Sequence, residues 1–214
     1  HIRKAVTLRK LNRFNEAIDC CQKIIDLSPE YIDAYINKAE ILNISGKLKE
    51  SLSVFEKVFK IESDNAGLYI RYGNFLNKIG KIDEAINAYK KSIKIEPENS
   101  GAFANLANIY KAQGAYEKEI ICLKKSVEIE EDYGVCINLA ISYSKAKEYK
   151  LAITYYDKAI KLDPKKAEAF VHKAYHHQSI KETDQAIVLF TKALLADKNH
   201  KYLFGERFYA KNSI

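Results

Sequence analysis

The chain has 214 residues and a formal charge of +7, from 35 Lys and Arg against 28 Asp and Glu. Hydrophobic residues make up 47% and charged residues 29%, which excludes wholesale disorder, and three Pro with eight Gly exclude collagen-like and low-complexity chains. No run of about 18 apolar residues exists to span a bilayer and no apolar run follows the start to form a leader, while the lack of Met, even at position 1, reads as a piece of a longer protein.

Read in order, the chain repeats itself at 1–31, 32–65, 66–99, 100–132, 133–166 and 167–200. One aromatic column runs Tyr35, Tyr69, Phe103, Phe170 and Phe204, with Cys136 in the fifth place. A small column runs Ala5, Ala39, Gly73, Ala107, Ala140 and Ala174. A second runs Ala17, Ser51, Ala85, Glu119, Ala152 and Ala186, with Glu119 the exception. Four residues after each stand Cys21, Phe55, Tyr89, Leu123, Tyr156 and Phe190. Ile95 to Asn105 spans ten steps and Ile129 to Asn138 nine, which puts a one-residue deletion in the loop near Asp132.

Each repeat reads as two helices. In the third, Tyr69, Gly73 and Leu76 fall on one face of a first helix. Gly80 stands where that helix should stop, as do Gly46 and Gly114 in their repeats. Asp83 is expected to cap the second helix, whose inward stripe is Ala85, Tyr89, Ser92 and Ile93. Pro97 then forbids continuation, like Pro29 and Pro164. Small residues allow helices to approach while the larger residue of the facing helix fills the space beside them. The residues 201–214, with Tyr202, Leu203, Phe204, Phe208 and Tyr209, read as an apolar C-terminal end helix. An end so apolar expects either more protein after it or self-association.

These residues, among them Leu106-Ala107, Tyr110, Gly114, Tyr116, Ala152, Tyr156, Ala159 and Pro164, resemble the tetratricopeptide repeat family over nearly the whole chain. The family's Trp is replaced by Tyr, Phe or Cys. The resemblance implies an all-α, right-handed superhelical solenoid of antiparallel helix pairs, about six repeats plus the end helix. It also implies a concave groove, lined by first helices, that holds peptides or protein segments.

Two residues past the aromatic position the helix turns about 200° away from the core. Asn37, Arg71, Asn105, Asn138 and His172 stand there, and three residues on come Glu40, Asn74, Asn108, Ile141 and Tyr175. Asn forms helices poorly, so packing does not ask for it. Its carboxamide offers an acceptor and two donors, the complement of an extended peptide backbone. Asn37, Arg71, Asn74, Asn105, Asn108, Asn138 and His172 are therefore the candidate peptide-binding residues. The family's carboxylate-clamp chemistry is not expected, because the neighbouring positions are Ile36, Ile70, Ala104, Ile137 and Val171, with Gly67, Gly101 and Gly134 nearby. The run of amides also resembles the repeat region of O-linked N-acetylglucosaminyltransferases and Spindly-type proteins, and Lys201–Lys211 resembles their passage toward the catalytic domain. The alternative reading is thus a substrate-recruiting region of a glycosyltransferase whose catalytic part lies elsewhere.

No catalytic constellation, Gly-rich phosphate loop or nucleophile elbow is found, so the chain reads as no enzyme and as needing no cofactor. His172 and His176 have zinc-compatible spacing, but no Cys or Glu completes a site; His172 is read as a groove residue, His176 as a surface one and His177 as partly buried. Lysines on the second helices alternate with acids, which favours a solvated face over nucleic acid or membrane as partner. Cys20, Cys21, Cys122 and Cys136 contain no Cys-x-x-Cys and read as reduced, mostly buried thiols of a cytoplasmic protein.

Overall fold

Apolar and small residues recurring at helical spacing between fixed stop signals leave the chain one regular solution, a series of short helical hairpins. A computed structural model describes residues 2–196, and residues 201–214 with their expected end helix lie outside it. The described residues form α1 (Ile2–Lys10), α2 (Phe14–Leu27), α3 (Ile32–Ile44), α4 (Leu48–Ile61), α5 (Ala66–Lys78) and α6 (Ile82–Ile95). They continue with α7 (Ser100–Ala112), α8 (Tyr116–Ile129), α9 (Tyr133–Lys145), α10 (Tyr149–Leu162), α11 (Ala167–Ser179) and α12 (Thr183–Ala196). Among the described residues there is no strand. The chain divides into two units, His1–Pro97 and Glu98–Ile214.

The hairpin corners are built alike. After each first helix the chain enters the left-handed region at Asn12, Gly46, Gly80, Gly114, Lys147 and Lys181. The next amide then bonds back to the helix: Lys47 N–H to Leu42 O at 2.8 Å, Glu148 N–H to Tyr143 O at 2.9 Å, and likewise in the other four. This is the Schellman closure, and it satisfies carbonyls that the helix end would orphan. Glycine adopts that conformation freely, whereas Lys147 and Lys181 hold it at φ of 62° and 65°.

Three of the first helices, α5, α7 and α9, start on side-chain caps, whereas the N-cap of α3 is Tyr31, which makes no such bond. Asn65, Asn99 and Asp132 each accept from the backbone amide three residues on, at 2.9, 3.1 and 3.0 Å. α11 has no such residue; instead the Tyr133 hydroxyl accepts the Ala169 N–H at 3.1 Å. The expectation for Asp83 fails. The N-cap of α6 is Lys81, without a side-chain bond, and Asp83 lies inside the first turn, where it can act only on the helix dipole. The N-caps of α2, α4, α6, α8 and α10 are Arg13, Lys47, Lys81, Ala115 and Glu148, and none makes a side-chain capping bond. The shortened loop is real: α8 and α9 are joined by 130–132, where α4 and α5 are joined by 62–65.

In the first unit one cluster centres on Ala5, Leu8, Ala17, Cys21 and Ile41, and a second on Tyr35, Ala39, Val54, Phe55, Val58 and Phe75. In the second unit Phe170, Ala174, Ala186 and Phe190 are the heart of the α11–α12 pair. Every member of both small columns is buried, Glu119 included. Gly73 shows why the column is small. A Cβ there would stand 2.6 Å from the Tyr89 ring, far inside contact distance.

Candidate functional site: the faces of the first helices

The polar residues of the first helices do two things, and the structure separates them. Some lace neighbouring first helices together. In the first unit Arg9 pairs with Glu40 at 2.6 Å, tying α1 to α3, and Arg71 pairs with Asp33, tying α3 to α5. In the second unit Lys111 donates to Asn138 Oδ1 at 3.0 Å, tying α7 to α9. The Ser144 hydroxyl lies 2.9 Å from His176 Nδ1, tying α9 to α11. The two ion pairs among them add little stability, about 0–1 kcal/mol each, but all four contacts fix side-chain directions on the face.

The candidate residues divide accordingly. Asn37 is half-buried and its amide donates back to Asp33 O at 2.7 Å. Arg71 is exposed but held by Asp33. Asn74 is exposed, and its Oδ1 accepts from the Tyr89 hydroxyl at 2.7 Å. That bond reaches past Gly73, so the missing side chain at 73 lets a core tyrosine touch the surface amide. Asn138 is half-buried and gives its oxygen to Lys111, keeping its NH₂. Asn105, half-buried, and Asn108, exposed, stand three apart on α7, and no side-chain hydrogen bond engages either among the described residues.

His172 is half-buried on α11 and stacks on Tyr156, centroids 6.5 Å apart. Burial holds its pKa below the ordinary 6.5, with Glu168 opposing and Lys111 assisting. His176 corrects the sequence expectation of a surface residue, because only 3% of it is exposed. It occupies the position of Ile41 and Phe75, packs on Tyr149 at 5.2 Å, and its Nε2 finds no partner. Burial also lowers its pKa, with the neighbouring His177 next in effect. His177 is buried beside Glu182, its Nδ1 2.7 Å from the carboxylate.

Beneath Arg71 and Asn74 lies a cavity of about 260 Å³ between α3 and α5. Ile36, Phe55 and Phe75 form its apolar side, and Asn43, Asn74 and Lys78 bring polar atoms to it. Ile36, Ile137 and Val171 are buried, so they shape the helix packing more than they meet a ligand. Sequence reasoning missed the lacing partners Asp33, Arg9 and Lys111. A signal existed for Asp33: it takes the place held by Gly67, Gly101 and Gly134 in the following repeats. No group of three or more His, Cys, Asp or Glu able to hold a metal occurs among the described residues. No helix among them is long and apolar enough to cross a membrane.

Serial helical hairpins with a shared small-residue grammar and polar first-helix faces define an all-α helical-repeat protein. Family models agree. Those described as tetratricopeptide repeat match residues 1–31, 32–65 and 100–133, and 135–166, and one described as TPR repeat matches 73–114. The chain is a tetratricopeptide repeat protein, a class that builds protein-interaction scaffolds. No curated protein matches it. Among solved structures it is similar to YrrB, described as a TPR protein with an unusual peptide-binding site, at 20% identity over 88% of this chain and 97% of that one, TM-score 0.66. It is similar to PilF of Pseudomonas aeruginosa at 19% identity over 99% and 96%, TM-score 0.70. It is also similar to the C-terminal part of a TPR repeat-containing protein from Cytophaga hutchinsonii at 19% identity over 97% and 83%, TM-score 0.74. At these identities the likeness is one of fold.

Proposed function

We propose that the chain is a non-catalytic scaffold that holds an extended peptide or protein segment against the faces of its first helices. In the first unit Asn37, Arg71 and Asn74 are its contacts; in the second, Asn105, Asn108, Asn138 and His172. The observation that carries the reading is the pair Asn105 and Asn108, presented one turn apart with carboxamides that no other side chain engages. Two such amides cost helix propensity and return nothing to the fold. The likeness to a TPR protein described as having a peptide-binding site supports it. The unbridged thiols of Cys21, Cys122 and Cys136, all buried, fit a reducing compartment, and a cytoplasmic location belongs to the proposal.

The test is a peptide selected from a displayed library on the intact chain. Asn105→Ala with Asn108→Ala should weaken that peptide by about tenfold or more, the worth of one to two hydrogen bonds, with the melting temperature held. Unchanged affinity, or stability falling in step with affinity, overturns the role. The glycosyltransferase reading rests on the same run of amides together with the Lys201–Lys211 resemblance. It predicts that the coding sequence continues past Ile214 into a sugar-nucleotide-binding domain.

A further inference from the structure

The second and third repeats each carry a ring at a position that the core does not require to be aromatic. At Phe59, on α4 of the second repeat, the equivalent residues are Ile25, Ile93, Val127 and Ile160. At Tyr72, on α5 of the third, they are Lys38, Leu106, Leu139 and Lys173. Tyr69, also on α5, keeps the ordinary aromatic place. The three rings converge. Phe59 stacks on Tyr69 with centroids 4.7 Å apart, and meets Tyr72 edge-on at 5.2 Å.

They form one wall of a cavity of about 450 Å³ whose other wall is α6, presenting Glu84, Asn87 and Lys91. This cavity shares no lining residue with the one beneath Arg71 and Asn74. Its polar rim is asymmetric. Glu84 is neutralised by Lys81 at 2.6 Å. Lys91 has only the Tyr69 ring, 5.0 Å from its Nζ, and the Tyr69 hydroxyl at 3.3 Å. Among the described residues it meets no carboxylate at ion-pair distance. An ammonium over a ring face is weakly held and is free to take a carboxylate as a stronger partner.

We propose that this cavity is a second binding site, for a segment of a partner protein that carries an aromatic or leucine side chain next to an acidic residue. The apolar side chain enters the cavity and lies against the wall that Phe59, Tyr69 and Tyr72 form, where ring edges and faces receive it. The acid reaches Lys91, and the Asn87 carboxamide lies on the same face of α6, three residues after Glu84 and four before Lys91, to engage the segment's backbone. An additional cation is disfavoured, because Lys91 already occupies the ring face and Glu84 is already paired.

The test uses the full chain and three blocked tetrapeptides, Ala-Phe-Glu-Ala, Ala-Phe-Lys-Ala and Ala-Ala-Glu-Ala, followed by the ring resonances of Phe59, Tyr69 and Tyr72. Saturable shifts with the Phe-Glu peptide are expected, with affinity at least tenfold weaker for the other two. Tyr72→Leu installs the residue found at 106 and 139 and should abolish the shifts. Lys91→Gln, an exposed change that leaves the rings in place, should weaken the Phe-Glu peptide about tenfold and leave the Phe-Lys peptide unaffected. The assignment is overturned if the Phe-Glu peptide causes no shift. It is equally overturned if the lysine peptide binds as well, if Lys91→Gln changes nothing, or if free phenylalanine binds as tightly as the peptide.

Discussion

Glu119 is a large polar residue in a column that is otherwise Ala or Ser, and the structure shows what accommodates it. In the first repeat the small Ala17 of a second helix shares a core cluster with the large Ile41 of the next first helix. The residues at the same register, Ser51 with Phe75 and Ala152 with His176, are likewise small with large and all buried. At Glu119 the sizes are exchanged, because its partner is Ser142, whose hydroxyl donates to Oε1 at 2.6 Å. The other oxygen, Oε2, is buried with no partner. Glu119→Ala removes one buried methylene, about 0.8 kcal/mol, and one hydrogen bond of about 1 kcal/mol, and relieves an unpartnered oxygen worth about 1–3 kcal/mol, so the terms nearly cancel. The Ser142 hydroxyl keeps an acceptor, since Asn138 O lies 2.9 Å away. Ser142→Ile alone adds carbons against the carboxylate and strips Oε1 of its donor, costing about 3 kcal/mol. Glu119→Ala with Ser142→Ile restores the Ala17–Ile41 arrangement, and should be more stable than the parent by about 1 kcal/mol or more. Urea unfolding of the four proteins gives the cycle, with a coupling near 4 kcal/mol in magnitude expected. A double variant whose change equals the sum of the singles, within about 0.5 kcal/mol, refutes the exchange argument.

Lys147→Gly and Lys181→Gly relieve left-handed backbone at two Schellman corners and should each raise stability by about 1 kcal/mol, read from urea midpoints. Gly73→Ala should destabilise by about 1–3 kcal/mol through the Tyr89 ring, and Gly73→Ala with Tyr89→Leu, the residue type at 123, should recover much of that. His172 and His176 have folded pKa values below the ordinary 6.5 because of burial, so the unfolded chain binds more protons than the folded one in that range. Stability should be full above that pH and fall as acid is added below it, and His176→Phe should flatten the slope of urea midpoint against pH. The Cys21 and Cys136 thiols, pushed up to about 11 by burial, should resist a thiol reagent at neutral pH while half-buried Cys20 reacts first.

The hairpin grammar was open to sequence reasoning because each of its rules acts locally. Gly46, Gly80 and Gly114 announce corners through a conformation that one residue type favours. Asn12, Lys147 and Lys181 take the same conformation without that announcement; only their place in the column gives them away. The small columns were legible for a similar reason, since close helix approach favours Ala, Gly or Ser unless, as at Glu119, the facing residue is itself small. His176 was misjudged because burial there depends on the neighbouring hairpin: Tyr149 and Ser144 close over it, and neither lies in its own helix. The candidate site was half legible. Periodicity found which residues leave the core, but not which of them spend their hydrogen bonds on each other.

That last distinction decides how the first-helix faces can work. A side chain already bonded to its neighbour must break that bond to hold a guest, and the guest's bond then replaces one of similar worth. Arg71, Asn74 and Asn138 are in that position, through Asp33, Tyr89 and Lys111. Their net contribution to affinity is small, but their directions are fixed beforehand, which lowers the entropy lost on binding. Asn105 and Asn108 are the reverse: unengaged side chains that give up rotamer freedom and gain whole hydrogen bonds. Affinity should therefore concentrate on α7, while the laced residues set the register in which a segment lies. Substituting Lys111→Gln would free the Asn138 oxygen, and a peptide bound through α7 and α9 should keep its affinity while accepting a wider range of sequences.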